Sequence, residues 1–189
     1  MKVLVLKNKH TESFLPKKAN NRDAGYDLVA TSNPEIVGLE AFEEDGITYY
    51  HEIDYIQYRT GLFIAPEDIL GIKDTVDNKN VLEKFAHTLG LPRSSVSKYH
   101  LQLCNSVATI DNPYRGEILL RFNYNWQPND MIIYNGHIVG HVNKKKIYKK
   151  GEKIIQLMFL REFGDVEFEL VDELPDSQRG EGRFGSSGK

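Results

Sequence analysis

The chain has 189 residues, 40% of them hydrophobic and 11% aromatic, enough for one domain with a real core, short for two, and not a disordered composition. A net charge of −3 argues against a protein that binds nucleic acid directly, which would carry a basic excess. No apolar run nears the ~18 residues of a membrane helix, Met1 to Lys9 is too short for a signal peptide, and the single Cys104 predicts a reducing, cytoplasmic compartment.

Strand signals dominate in chain order. Lys2 to Leu6 is a β-branched and aliphatic run, and Leu28-Val29-Ala30 follows Asp27 as a strand. Residues 39–54 are polar and mixed. Tyr55 to Thr60 reads as a strand, and Gly61 then opens Leu62 to Ala65. Val81, Leu82, Phe85, Ala86 and Leu89 fit one face of a helix, which predicts a short helix over about residues 80–89, capped near Asn80 and ended by Gly90. Ile118, Leu120, Phe122 and Tyr124 occupy alternate places, the period of a half-buried strand. Residues 125–147 are again mixed. Ile154 to Leu160 looks buried on both faces, with Gln156 as one polar intruder, and Val166, Phe168 and Leu170 alternate. Turn residues separate the runs at Asn33-Pro34, Asp111-Asn112-Pro113, Pro128-Asn129-Asp130, Asn135-Gly136 and Gly151. Many short strands with turns between them predict an all-β barrel or jelly roll. Val171 to Lys189 has no core pattern.

Several short segments carry chemistry. Pro92-Arg93-Ser94-Ser95 offers a guanidinium, two hydroxyls and backbone N–H groups, a suitable cradle for phosphate oxygens; alone it also reads as a polar turn. Asp111 stands on a rigid turn between Ile110 and Pro113, where a carboxylate could take a proton from water, or could be an ordinary turn residue. Tyr114 could pack flat on a sugar or serve as a core aromatic. Gln156 needs a partner for its amide, either a phosphate or a neighbouring strand. The six histidines are scattered and suggest no zinc site. Phe184, among glycines and serines, counts against both a plain linker and a cloning remnant.

Five segments occur in order: Ala24 to Ala30, Pro92 to Ser95, Asn105 to Glu117 (with Ile110-Asp111 and Tyr114-Arg115-Gly116-Glu117), Gly151 to Leu157, and Arg179 to Gly188. Together they resemble the signature of the trimeric dUTPases, and the resemblance runs over nearly the whole chain. It implies a distorted jelly-roll β-barrel over residues 1–170, with insertions at about 39–54, 74–90 and 125–147, and a flexible C-terminal arm over 171–189 that closes on the site. The implied activity is Mg²⁺-dependent hydrolysis of dUTP to dUMP and pyrophosphate in a homotrimer, each site drawing on several chains.

The resemblance also implies roles. Asp111 activates the attacking water, and Tyr114 excludes a ribose. Asn105 and the backbone through Ile110 form a hairpin that reads uracil. Arg93, Ser94, Ser95 and Gln156 meet phosphates, and Asp27 holds Mg²⁺ through water. From the arm, Phe184 stacks on the base, Arg179, Ser186 and Ser187 reach the terminal phosphates, and Gly185 between them belongs to the same substrate-binding set. Two positions depart from the pattern: Ala108 and Arg183 stand where the family usually has glycine. A dCTP deaminase of the same fold is one alternative, and a nucleotide-dependent regulatory protein that binds a partner through the insertions is another.

Overall fold

The computed structural model describes residues 3–6, 15–66, 86–111 and 114–161. The alternating run at Val166 to Leu170 and the arm residues Arg179, Arg183, Phe184, Gly185, Ser186 and Ser187 lie outside that set.

Among the described residues the regular elements are all strands apart from two short 3₁₀ turns. β1 (Val3–Leu6) pairs with β5 (Phe63–Pro66) in a two-stranded ribbon. The larger sheet runs β10 (Met131–Tyr134), β11 (His137–His141), β4 (Ile47–Arg59), β9 (Leu119–Tyr124), β7 (Leu101–Leu103), with β3 (Glu35–Glu44) also pairing to β4. The other sheet runs β2 (Tyr26–Val29), β12 (Lys153–Arg161), β6 (Ala86–Pro92), β8 (Ala108–Ile110). Their inner faces meet in one core. Ile56 and Tyr58 of β4 and Leu120 and Phe122 of β9 face Leu28 of β2 and Ile155 and Leu157 of β12. The period-two spacing in β9 does what it predicts: Leu120 and Phe122 are buried while Leu119, Arg121 and Asn123 are exposed. This is the expected all-β, jelly-roll-like architecture.

β12 is an interior strand of its sheet, laddered to β2 on one side and β6 on the other. Its ladder to β2 shifts register between Lys153 and Ile155. That irregularity breaks strict alternation, so Ile154 and Ile155 are both fully buried although they are neighbours. Each such burial contributes roughly 1.5–3 kcal/mol.

The two mixed stretches fold onto each other. Residues 35–59 form a long hairpin, β3 to β4, and residues 131–141 a short one, β10 to β11. Both turn through left-handed pairs, Asp45-Gly46 and Asn135-Gly136, the chemistry of two-residue hairpin turns. β11 then joins the outer half of β4 at Tyr49 and Tyr50. Phe42 stacks on Tyr49 and on Tyr134, with ring centroids 4.7 and 4.1 Å apart. The inner end of this extension is tied down by Asp130, 3% exposed. Its carboxylate accepts from the Tyr124 hydroxyl at 2.9 Å and the Gln127 N–H at 3.0 Å. Burial, opposed by the Asn143 N–H and aided by Asp130, pushes the Tyr124 hydroxyl up to about 12.

The helix expected near residues 80–89 is corrected in its second half. Residues 80–85 lie outside the described set, but Ala86 to Leu89 belong to β6, and residues 86–90 are sheet rather than insertion. The apolar spacing at Phe85, Ala86 and Leu89 satisfies a helix face locally. Two flanking ladders, to β12 from Ala86 to Pro92 and to β8 from Thr88 to Gly90, outweigh that pattern. Thr88, 1% exposed, and Gly90 are buried between their neighbours. Tertiary context decides such short amphipathic runs.

Candidate active site

Asp27 is the centre of one polar cluster. It sits on β2 directly opposite Gln156 of β12 and is 5% exposed. Arg93 Nε lies 2.9 Å from Oδ1, and Lys153 Nζ lies 2.8 Å from Oδ2. The Gln156 amide donates to Oδ1 at 3.4 Å. Burial would push this carboxyl up; contact with the Lys153 ammonium, the Arg93 and Lys153 charges and the Gln156 amide together hold it below its ordinary value. Gln156 thus finds its partner on the adjacent strand. Gly25 lets it lie there, because a Cβ on residue 25 would come 2.8 Å from the Gln156 Cβ.

Arg93 leads directly into a 3₁₀ turn, Ser94–Lys98. Ser94 is exposed, whereas the Ser95 hydroxyl is buried and lies by Tyr148. The described arrangement therefore offers the Ser94 hydroxyl outward, while the Arg93 guanidinium is turned to Asp27 and the Lys153 carbonyl.

A second cluster forms around Asp111. Ile110 ends β8 with its side chain in the core, and Asp111 is exposed just beyond it. The Tyr114 N–H donates to the Asp111 carbonyl at 3.0 Å, closing a tight turn. Tyr114, 47% exposed, donates its hydroxyl to the Glu117 carbonyl at 2.9 Å. Asn105 lies in the turn between β7 and β8, exposed, followed by Ser106 at φ 57°. β7 ladders to β9 and β8 to β6, so this segment turns a corner between the two sheets, where a closed hairpin was expected. Ala108 is buried in that corner, near Gly90.

The two clusters stand apart in one chain. Ile110 pairs with Thr88 near one end of β6, and Arg93 follows Pro92 at the other. Six strand residues span about 20 Å. A single chain therefore does not bring Asp111 to Arg93. Sequence reading missed Lys153, whose role depends on a register visible only in the sheet. It also missed the side-chain role of Glu117 and its partner Arg59, which lies outside every motif.

No group of three His, Cys, Asp or Glu side chains gathers to hold a metal among the described residues. Asp27 is the buried carboxylate of this cluster, with Arg93 and Lys153 on its two oxygens; it fits Mg²⁺ carried on a nucleotide, which keeps several waters when bound to phosphates, only where one of those cations turns from the carboxylate to the phosphates.

No family model matches the chain. It is 36% identical to the deoxyuridine 5'-triphosphate nucleotidohydrolase of Escherichia phage T5 over 100 residues, 53% of this chain and 57% of that protein. The chain thus spans only about half the length of several relatives it matches, 50% in the case of Desulfitobacterium hafniense. The alignment to the enzyme of the same name from Finegoldia magna is far wider, with 33% identity over 90% of this chain and 94% of that protein. Among solved structures, a Staphylococcus bacteriophage 80alpha dUTPase mutant with dUpNHpp matches 100% of this chain and 99% of that one at TM-score 0.57 and 21% identity. A mutant dUTPase of Staphylococcus aureus phage phi11, described with a structural Mg(II) ion, matches at TM-score 0.53 and 16% identity over 92% of this chain and 98% of that one. These structural likenesses carry the fold, and the near-complete alignment to the Finegoldia magna protein carries the kinship: the chain belongs to the deoxyuridine 5'-triphosphate nucleotidohydrolase (dUTPase) family.

Proposed function

We propose that the protein hydrolyses dUTP to dUMP and pyrophosphate in the cytoplasm, as a homotrimer with composite sites. The observation that carries this reading is the turn that clasps Asp111 to Tyr114, in a chain of this family. It mounts an exposed carboxylate and an exposed ring on one turn, one for the water and one for the sugar.

In the reaction, water attacks the α-phosphorus while Asp111 takes its proton. The bond from that phosphorus to the bridging oxygen breaks, and pyrophosphate leaves. Bound Mg²⁺ would neutralise charge on the phosphates, with Asp27 reaching its waters. Arg93, Ser94, the Ser95 backbone and Gln156 bind phosphate oxygens. The corner from Asn105 to Ile110 presents backbone groups to uracil, and cytosine would leave those groups mispaired, which is costly. Tyr114 backs the deoxyribose. Arg179, Phe184, Gly185, Ser186 and Ser187 complete the site from the arm. The ~20 Å between Asp111 and Arg93 along one sheet supports a site in which one chain supplies the Asp111 turn and a neighbour supplies the Asp27 cluster.

The test is turnover with Mg²⁺ and either dUTP or dCTP in ¹⁸O-labelled water. The expected products are pyrophosphate and dUMP carrying the label on phosphate. Ammonia released from dCTP would instead mark a deaminase. Label appearing in the pyrophosphate would move the attack to another phosphorus.

A further inference from the structure

Tyr114 can reject a ribose only if its ring holds its place, since an exposed tyrosine that swings aside makes room for a 2′-hydroxyl. Three contacts fix it. The Asp111 turn sets its backbone. Gly116 backs the ring, because a Cβ there would lie 2.6 Å from the Tyr114 Cζ. The hydroxyl is tethered to the Glu117 carbonyl at 2.9 Å. The last contact is only as firm as Glu117 itself.

Glu117 is fastened by its side chain, which is 9% exposed. One oxygen accepts from the Gly61 N–H at 2.8 Å and the Thr60 N–H at 3.2 Å. The other accepts from Arg59 Nη2 at 2.6 Å and Nε at 3.0 Å. Arg59 ends β4, and its own N–H and C=O are fixed by the Ser32 hydroxyl and the Thr31 N–H. A chain of short, charge-assisted contacts thus runs from the rigid end of β4 to the Tyr114 hydroxyl.

We propose that Arg59 is a positioning residue for Tyr114 and so sets the preference for a deoxyribose over a ribose. The inference rests on the sugar-reading role of Tyr114 in the proposed function. Arg59 touches no substrate; it acts through Glu117.

The test reads sugar preference by binding alone. Calorimetry with Mg²⁺ compares α,β-imido-dUTP with α,β-imido-UTP on the wild type, Arg59→Met, Arg59→Lys and Tyr114→Phe. Arg59→Met is expected to lower the deoxy-to-ribo affinity ratio about three- to tenfold, the scale of weakening one hydrogen bond, with Arg59→Lys recovering part of it. Adding Arg59→Met to Tyr114→Phe should change the ratio no further, because the tether is already cut. An unchanged ratio in folded Arg59→Met overturns the proposal, as does an additive loss in the double variant. If Arg59→Met does not fold, Arg59→Lys carries the test: its ratio must lie below that of the wild type, and an unchanged ratio overturns the proposal. A wild type that prefers the deoxy analogue without hydrolysing dUTP removes the proposed activity and leaves this inference standing. A wild type with no preference removes both.

Discussion

The Tyr114 N–H donates to the Asp111 carbonyl at 3.0 Å, so the expected base and the expected sugar reader ride on one turn. Their relative geometry is local and does not depend on how distant parts of the chain meet. Asp111→Asn keeps the shape and the turn, since the bond uses the backbone, but the amide takes no proton. Turnover of dUTP should fall by at least ~10²–10⁴-fold, while affinity for an imido analogue stays within a few-fold. Near-normal turnover would remove Asp111 as the base.

The Asp27 cluster makes a different prediction. Its carboxyl is held below its ordinary value of 3.8 by Lys153, Arg93 and Gln156 against burial. A lowered folded value means that its contribution to stability is fully present above about pH 4 and is lost as pH falls through that lowered value. Lys153→Met removes one of the two cations. The variant should be less stable than the wild type at neutral pH by about 1 kcal/mol, a modest figure because Lys153 is half exposed. The gap should close in acid. Urea midpoints between pH 3 and 7 measure this, and a gap that widens in acid would contradict the assignment.

Gly25 offers a steric test of the same cluster. A Cβ at that position would come 2.8 Å from the Gln156 Cβ, a backbone-proximal atom with little freedom to move. Gly25→Ala should therefore push β2 and β12 apart where Asp27 faces Gln156. Overpacking of this kind costs roughly 1–3 kcal/mol. The expected result is a lower melting temperature and a higher KM for dUTP. An unchanged KM would mean that Gln156 does not need this placement.

The strands and the Asp111 turn were legible because their signals are local. β9 and β12 show in apolar spacing, and Asn135-Gly136 shows as a turn pair. The long β3–β4 hairpin was hidden because most of its outer half is exposed, leaving no apolar stripe to read. Its one clear signal, Asp45-Gly46, lay inside a stretch that composition marks as polar. β6 misled because its first apolar residues, Ala86 and Leu89, also fit a helix, and only its two ladder partners decide otherwise. Arg59 had no signal at all, and Lys153 stood inside the Gly151 to Leu157 segment with nothing to mark its role. Each earns its role from a carboxylate brought near by fold, 58 residues away for Glu117 and far earlier in the chain for Asp27.

β6 also changes what can be cut. It is laddered on both sides, so replacing residues 74–89 with a Gly-Ser linker would delete Ala86 to Leu89, including buried Thr88. That variant should fail to fold or lose its melting transition. Replacing residues 74–85 alone spares every residue of the strand, and dUTP hydrolysis should stay within a few-fold. Equal tolerance of both deletions, by melting and turnover, would refute the strand assignment.

The separation of Asp111 from Arg93 gives the sharpest test of a composite site. Within one chain Ile110 pairs with Thr88, and Arg93 lies at the far end of β6, about 20 Å from Asp111. If a site uses the Asp111 turn of one chain and the Asp27–Arg93 cluster of another, the two halves can be inactivated separately. Asp111→Asn and Arg93→Ala should each abolish turnover as pure assemblies. When the two are unfolded together and refolded as a mixture, some interfaces pair an intact Asp111 with an intact Arg93. Closed cyclic assembly then predicts recovery of a fixed fraction of wild-type activity, about a quarter in a random equal mixture when each site draws these two residues from two different chains. A site confined to one chain gives no recovery, because every chain in the mixture carries one defect. The readout is therefore qualitative as well as graded, and mixing without unfolding supplies the control: activity should appear only as fast as the subunits exchange.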